Sequence, residues 1–77
     1  MTAKYIIWED EMGLDRVAIF DIGQKHIDVT RSFNIKPKSA GFVTLNDSLL
    51  CYGDSVSLGL KAEEKDANTI KNLFRIK

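Results

Sequence analysis

Apolar residues in this chain fall in short blocks separated by polar, glycine-bearing joints. Tyr5-Ile6-Ile7-Trp8 and Val17-Ala18-Ile19-Phe20 are rich in β-branched and aromatic side chains and too short for a helix, so both predict strands. Segment 9–15 between them holds four acids and Gly13, which predicts an exposed hairpin loop with the glycine at positive φ. Neither strand alternates apolar with polar, a pattern expected when both faces are covered, which places the pair near the middle of a sheet. Phe42-Val43-Thr44-Leu45 and Leu49-Leu50-Cys51-Tyr52 flank Asn46-Asp47-Ser48 and predict a second hairpin. After Gly53-Asp54, Val56, Leu58 and Leu60 alternate with the small Ser55, Ser57 and Gly59, which predicts a fifth strand or a bent continuation of the fourth.

Helical signals are fewer. Between Gly23 and Asn34, Ile27 and Val29 share a face at period two, whereas Ile27, Thr30, Arg31 and Asn34 make a weak stripe at helical spacing. The reading adopted is a short helix from about Lys25 to Phe33, ended by Lys36-Pro37-Lys38. From Glu64 to Ile76, Ala67, Ile70, Leu73 and Phe74 recur at helical spacing, with acids early and Lys71, Arg75 and Lys77 late, as the helix dipole favours. Asp66 is a candidate cap for amides two or three residues on, should the helix start late. The chain of 77 residues thus reads as a single α+β domain. A small antiparallel sheet of four to five strands packs against a C-terminal helix, with a second short helix before the third strand.

Composition narrows the function classes. Apolar residues make up 44% and charged residues 29%, the balance of a folded globular domain. One cysteine, Cys51, allows no internal disulfide, which points to a reducing, cytoplasmic setting. No apolar run approaches the roughly 20 residues of a membrane helix, and the first residues lack a signal-peptide pattern. Eleven basic and eleven acidic side chains cancel, which argues against a protein that neutralises a duplex backbone. The signs are nonetheless blocked: residues 1–28 carry three bases against six acids, residues 29–46 carry Arg31, Lys36 and Lys38 with no acid, and the next two segments repeat the alternation.

No catalytic constellation is evident. His26 stands two residues before Asp28, a spacing compatible with a base and its orienting carboxylate, but the reading preferred is a surface histidine on a helix. Cys51 and His26 would form a nucleophile and base only if the fold joined them, and a cysteine in an apolar strand is ordinarily inert. Gly53-Asp54-Ser55 shares letters with an esterase motif, yet no histidine follows it. Spacings for zinc, calcium or dinucleotides are absent, so neither metal nor cofactor is expected. Two kinds of binding remain. Arg31, Lys36 and Lys38 could meet phosphates while Tyr52 or Trp8 stacks on a base, as in a small nucleotide-like ligand or, less in keeping with the core's need for its aromatic rings, a nucleic acid. Alternatively, a protein partner or a second copy of the chain approaches the small-sided strand of Ser55, Ser57 and Gly59, or the acidic loop.

Ser39-Ala40-Gly41-Phe42-Val43 and Cys51-Tyr52-Gly53-Asp54-Ser55-Val56-Ser57-Leu58-Gly59-Leu60-Lys61 resemble a family of small uncharacterised bacterial and phage proteins, as do Lys4-Tyr5-Ile6-Ile7 and Gly13-Leu14-Asp15-Arg16. Where the family pattern has Ser-Arg and a helix-opening proline after Lys61, this chain has Ala62-Glu63-Glu64-Lys65. The family carries no assigned activity. The resemblance implies a phage or mobile-element accessory protein, and by analogy one that occupies a host component rather than turning over a substrate. The expectation is a non-catalytic interaction protein that self-associates.

Overall fold

The computed structural model describes residues 1–75. Its strands are β1 (Thr2–Glu9), β2 (Asp15–Phe20), β3 (Ser39–Leu45), β4 (Leu49–Tyr52), β5 (Asp54–Ser55) and β6 (Leu60–Lys61). The helices are α1 (His26–Phe33), between β2 and β3, and α2 (Asp66–Phe74), at the end. The first four strands form one antiparallel sheet in the order β2-β1-β3-β4, and β5 with β6 makes a separate ribbon that leans on β3. The α+β class, the antiparallel sheet and the C-terminal helix match the sequence reading. The helix expected from Glu64 to Ile76 instead begins at Asp66 and ends at Phe74, where Arg75 takes φ 56 and its N–H bonds to Lys71 O; Ile76 lies outside the described residues.

Period two splits β1 between the two faces of the sheet, and Tyr5, Ile6 and Ile7 are all buried. One face gathers Tyr5, Ile7, Val43 and Leu49 under Ile70 of α2, with Ala3, Val17, Cys51, Ala62 and Ala67 around them. The opposite face carries Ile6 and Ala40 beneath α1, whose His26 stands edge-on to Phe20 and Phe42 while Phe33 meets Trp8 at 6.0 Å between ring centroids. Burying β1 on both sides is what its unbroken apolar run requires.

Three local expectations are corrected. β2 is an edge strand, not a central one: its apolar residues are only half-buried beside the helices and Ile19 is exposed, because an unbroken apolar run does not report hydrogen-bonded neighbours. The stretch Val56–Leu60 is not a strand. Its first four residues form the turn of the β5–β6 ribbon, with Gly59 at φ +68 and Val56 89% exposed at the tip. Third, α1 spans His26–Phe33, close to the expected bounds, but Pro37 is not what ends it. Asn34 takes φ 53, its N–H bonds to Arg31 O and the Ile35 N–H reaches back to Thr30 O, a closure of the Schellman type that an asparagine tolerates.

Candidate functional site

The residues with chemical potential are spent on structure. His26 is buried, not on the surface, and its Nε2 lies 2.9 Å from the Gly41 carbonyl oxygen. With Nε2 protonated, the ring donates to that carbonyl and leaves Asp28 unused as its orienting group. Burial lowers the His26 pKa below the ordinary 6.5, the Gly41 bond opposes this, and the Lys4 ammonium adds to the lowering. Because the unfolded chain then takes up the proton first, the histidine's contribution to stability is complete above pH about 6.5 and declines as pH falls below it. The expected result is that melting temperature drops between pH 7 and 5 more steeply for the native chain than for His26→Gln. Parallel slopes would contradict this.

Cys51 packs in the core on the α2 face, whereas His26 lies on the α1 face, so the sheet separates the two. Burial, with the Asp66 charge adding and the Tyr5 hydroxyl opposing, pushes the Cys51 thiol up to about 11. It is therefore a poor nucleophile. Asp66 is the feature the sequence reading placed in the wrong role. It opens α2 and is 1% exposed, yet it does not cap the amides ahead of it. Its carboxylate accepts from Tyr5 Oη at 2.5 Å, Ser39 Oγ at 3.1 Å and the Glu63 N–H at 2.9 Å, so it fastens α2 to β1 and β3. Burial, with the Asp66 bond and charge beside it, holds the Tyr5 hydroxyl protonated far above its usual range.

The proposed phosphate-binding residues are not brought together with Tyr52. Lys38 is engaged, with Nζ 2.6 Å from Asp15 and 3.2 Å from Glu9, bonds that raise its pKa. Lys36 borders a groove of about 530 Å³ with Trp8, but Glu9, Asp10 and Glu11 line it too, a poor setting for a phosphate. Arg31 is exposed near the end of α1. Tyr52 stacks on Phe42, which pairs with Lys4. Five residues of extended chain, roughly 17 Å, separate Lys4 from the Glu9 end of β1 where Lys38 sits. The small residues of the ribbon do not share a strand face: Ser55 is buried, 3.4 Å from Ser57 Oγ, and the exposed Ser57 and Gly59 lie in the turn. In the acidic loop, Asp10 accepts from the Leu14 amide, from Arg16 Nε and from the Met12 amide, which together lower its pKa against the opposing effect of desolvation, and Glu9 and Asp15 serve Lys38. Glu11 is the one loop acid outside these pairs among the described residues.

What the fold does assemble is a groove beside the β2 edge. The Asp10 N–H donates to Leu14 O, which continues the β1–β2 ladder and fixes its phase. Trp8, Ile6 and Lys4 therefore bond to Arg16, Ala18 and Phe20, and alternation leaves the main-chain groups of Val17 and Ile19 directed away from the sheet. Alongside runs a groove of about 550 Å³ lined by Ala18 and Phe20 from β2, by Asp28, Val29 and Phe33 from α1 and by Lys25 just before that helix. Ala18 leaves room in its floor, and Val29 and Phe33 make its helical wall apolar. Sequence periodicity hid this site because the stripe that seats α1 starts from a histidine, which an apolar pattern does not count.

Among the described residues no cluster of three His, Cys, Asp or Glu side chains is placed to hold a metal ion, and no helix is long and apolar enough to cross a membrane. No protein-family model, curated protein or solved structure matches this chain.

Proposed function

We propose that this protein is a non-catalytic binding module that takes up an extended segment of a partner protein along β2. The segment adds a strand to the sheet and seats alternate side chains in the groove between β2 and α1. The observation that carries this reading is the coincidence of outward main-chain groups at Val17 and Ile19 with a groove floored by Ala18 and flanked by the apolar Val29 and Phe33. Main-chain hydrogen bonds supply affinity in such strand addition, and pockets for every second side chain supply specificity. The partner segment is apolar at alternate positions, with a large aliphatic or aromatic group over Ala18. The family resemblance supports a host protein as the source of that segment.

Selection of a displayed random-peptide library on the purified protein provides the test, with measured affinity of the enriched peptides. Ile19→Pro removes an outward N–H that makes no ladder bond, so the fold is retained while strand addition is blocked. The expected result is at least a tenfold loss of affinity for Ile19→Pro and for Val29→Asp, on the order of 1.4 kcal/mol or more, with Ser57→Arg in the distant ribbon unchanged. Full binding by both groove variants, or loss confined to Ser57→Arg, would contradict the assignment.

A further inference from the structure

The second edge of the sheet is built differently. The Leu45 N–H donates to Met1 O, which fixes the phase of β3 so that Thr44 and Phe42 bond outward to Leu50 and Tyr52. The main-chain groups of Leu49 and Cys51 are thereby left facing away from the sheet. On the α1 side Leu50 is 59% exposed and Tyr52 47% exposed, because α1 lies over β1 and does not extend to β4. Leu49-Leu50-Cys51-Tyr52 carries no charge and no proline, the residues with which proteins ordinarily protect a strand edge.

We infer that β4 pairs antiparallel with β4 of a second copy of this chain, joining two sheets into one of eight strands. One two-fold register satisfies every outward group of the strand. Leu50 faces its own copy, Leu49 faces Cys51 of the partner, and Cys51 faces Leu49, which gives four main-chain hydrogen bonds across the axis. In that register Ser48 stands opposite Tyr52, Asp47 opposite Gly53 and Asn46 opposite Asp54, so no like charges meet. Centring the pair one residue later, on Cys51, would match Leu49 with Gly53, whose carbonyl already accepts from the Ala62 N–H and whose φ of +78 is not strand geometry, so the regular ladder would stop at the Cys51 pair with its two hydrogen bonds. The equivalent self-pairing of β2, centred on Ala18, would set Asp15 against Asp21 twice. Charge and hydrogen bonding thus favour a second copy at β4, and this assignment stands independently of the β2 groove.

Sedimentation velocity over a wide concentration range, up to millimolar, tests the inference. The expected result is a species of twice the 8.7 kDa chain mass for the native protein and loss of that dimer in Leu50→Lys, which sets two ammonium groups against each other across the axis. A second variant gives a covalent readout. Leu50→Cys in a Cys51→Ala background brings two thiols to a non-hydrogen-bonded pair whose Cα atoms are about 4.5 Å apart, within disulfide range, so oxidation should trap the dimer on a non-reducing gel. A native protein that stays at 8.7 kDa throughout, or a dimer that Leu50→Lys leaves intact, would overturn the inference.

Discussion

Asp66→Ala is expected to lower the folding free energy by about 3–5 kcal/mol, because it strips three donors of their acceptor at once and leaving a buried donor unsatisfied costs on the order of 1–3 kcal/mol each. Tyr5 Oη and Ser39 Oγ sit in the interior between α2 and the sheet, where water does not replace the lost carboxylate, and the Glu63 N–H is partly buried. Domains have only about 5–15 kcal/mol to lose, and one this small lies toward the lower end. Thermal melts should therefore shift by roughly 12 °C or more, at about 4–8 °C per kcal/mol for a chain of this size. Asp66→Asn keeps one acceptor oxygen and should fall between the native chain and Asp66→Ala. Tyr5→Phe removes a single donor while Asp66 keeps Ser39 and Glu63, and should cost about 1–2 kcal/mol. An Asp66→Ala protein that melts with the native chain would show that the carboxylate does not fasten α2.

Gly41→Ala is expected to cost about 1–3 kcal/mol, the usual range for forcing a methyl group into a filled space. A Cβ at this position would lie 2.6 Å from the Tyr52 carbonyl oxygen and 3.1 Å from Ala62 Cβ. The first of these is backbone at the end of β4, so relief requires moving a strand and not turning a side chain. Movement there also disturbs the bond between Gly41 O and His26, so the change is felt on both faces of the sheet. Gly13→Ala provides the contrast: Gly13 has φ +80 and no atom within 4 Å of the added methyl, so only the backbone preference is lost, about 1 kcal/mol. The His26 ring resonances should move in Gly41→Ala and stay in place in Gly13→Ala. A Gly41→Ala protein that melts with the native chain and leaves the His26 resonances unmoved would contradict the crowding at Gly41.

Much of the framework was legible in the order of residues. The apolar blocks at Tyr5–Trp8, Val17–Phe20, Phe42–Leu45 and Leu49–Tyr52 became β1 to β4, the Gly13 loop took its positive φ, and Ala67 and Ile70 seated α2. What failed did so for identifiable physical reasons. Alternation at Val56–Leu60 predicted a strand, but Gly53 and Gly59, both at positive φ, turn the chain there, and Val56 has no core to face. The stripe of α1 was read through Ile27, whereas the chain seats it through His26, a polar residue made compatible with burial by one carbonyl. Asp66 was read as a local cap because its partners Tyr5 and Ser39 are 61 and 27 residues away. The candidate binding surface was not legible for a related reason: which strand ends up at an edge, and which helix lies beside it, is decided by pairing between distant segments. The ordering β2-β1-β3-β4 leaves two strands with free edges, one flanked by a helical wall and one not, and the two proposed partners follow from that difference.

Amide hydrogen exchange at Val17 and Ile19, followed by NMR with and without a selected peptide, tests the account at its centre. In the free protein these two amides should exchange quickly while those of Ala18 and Phe20, bonded to β1, exchange slowly. A peptide added as a strand should protect whichever of Val17 and Ile19 it engages and shift the Val29 and Phe33 side-chain resonances together. A peptide that binds while both edge amides continue to exchange as in the free protein would contradict strand addition at β2.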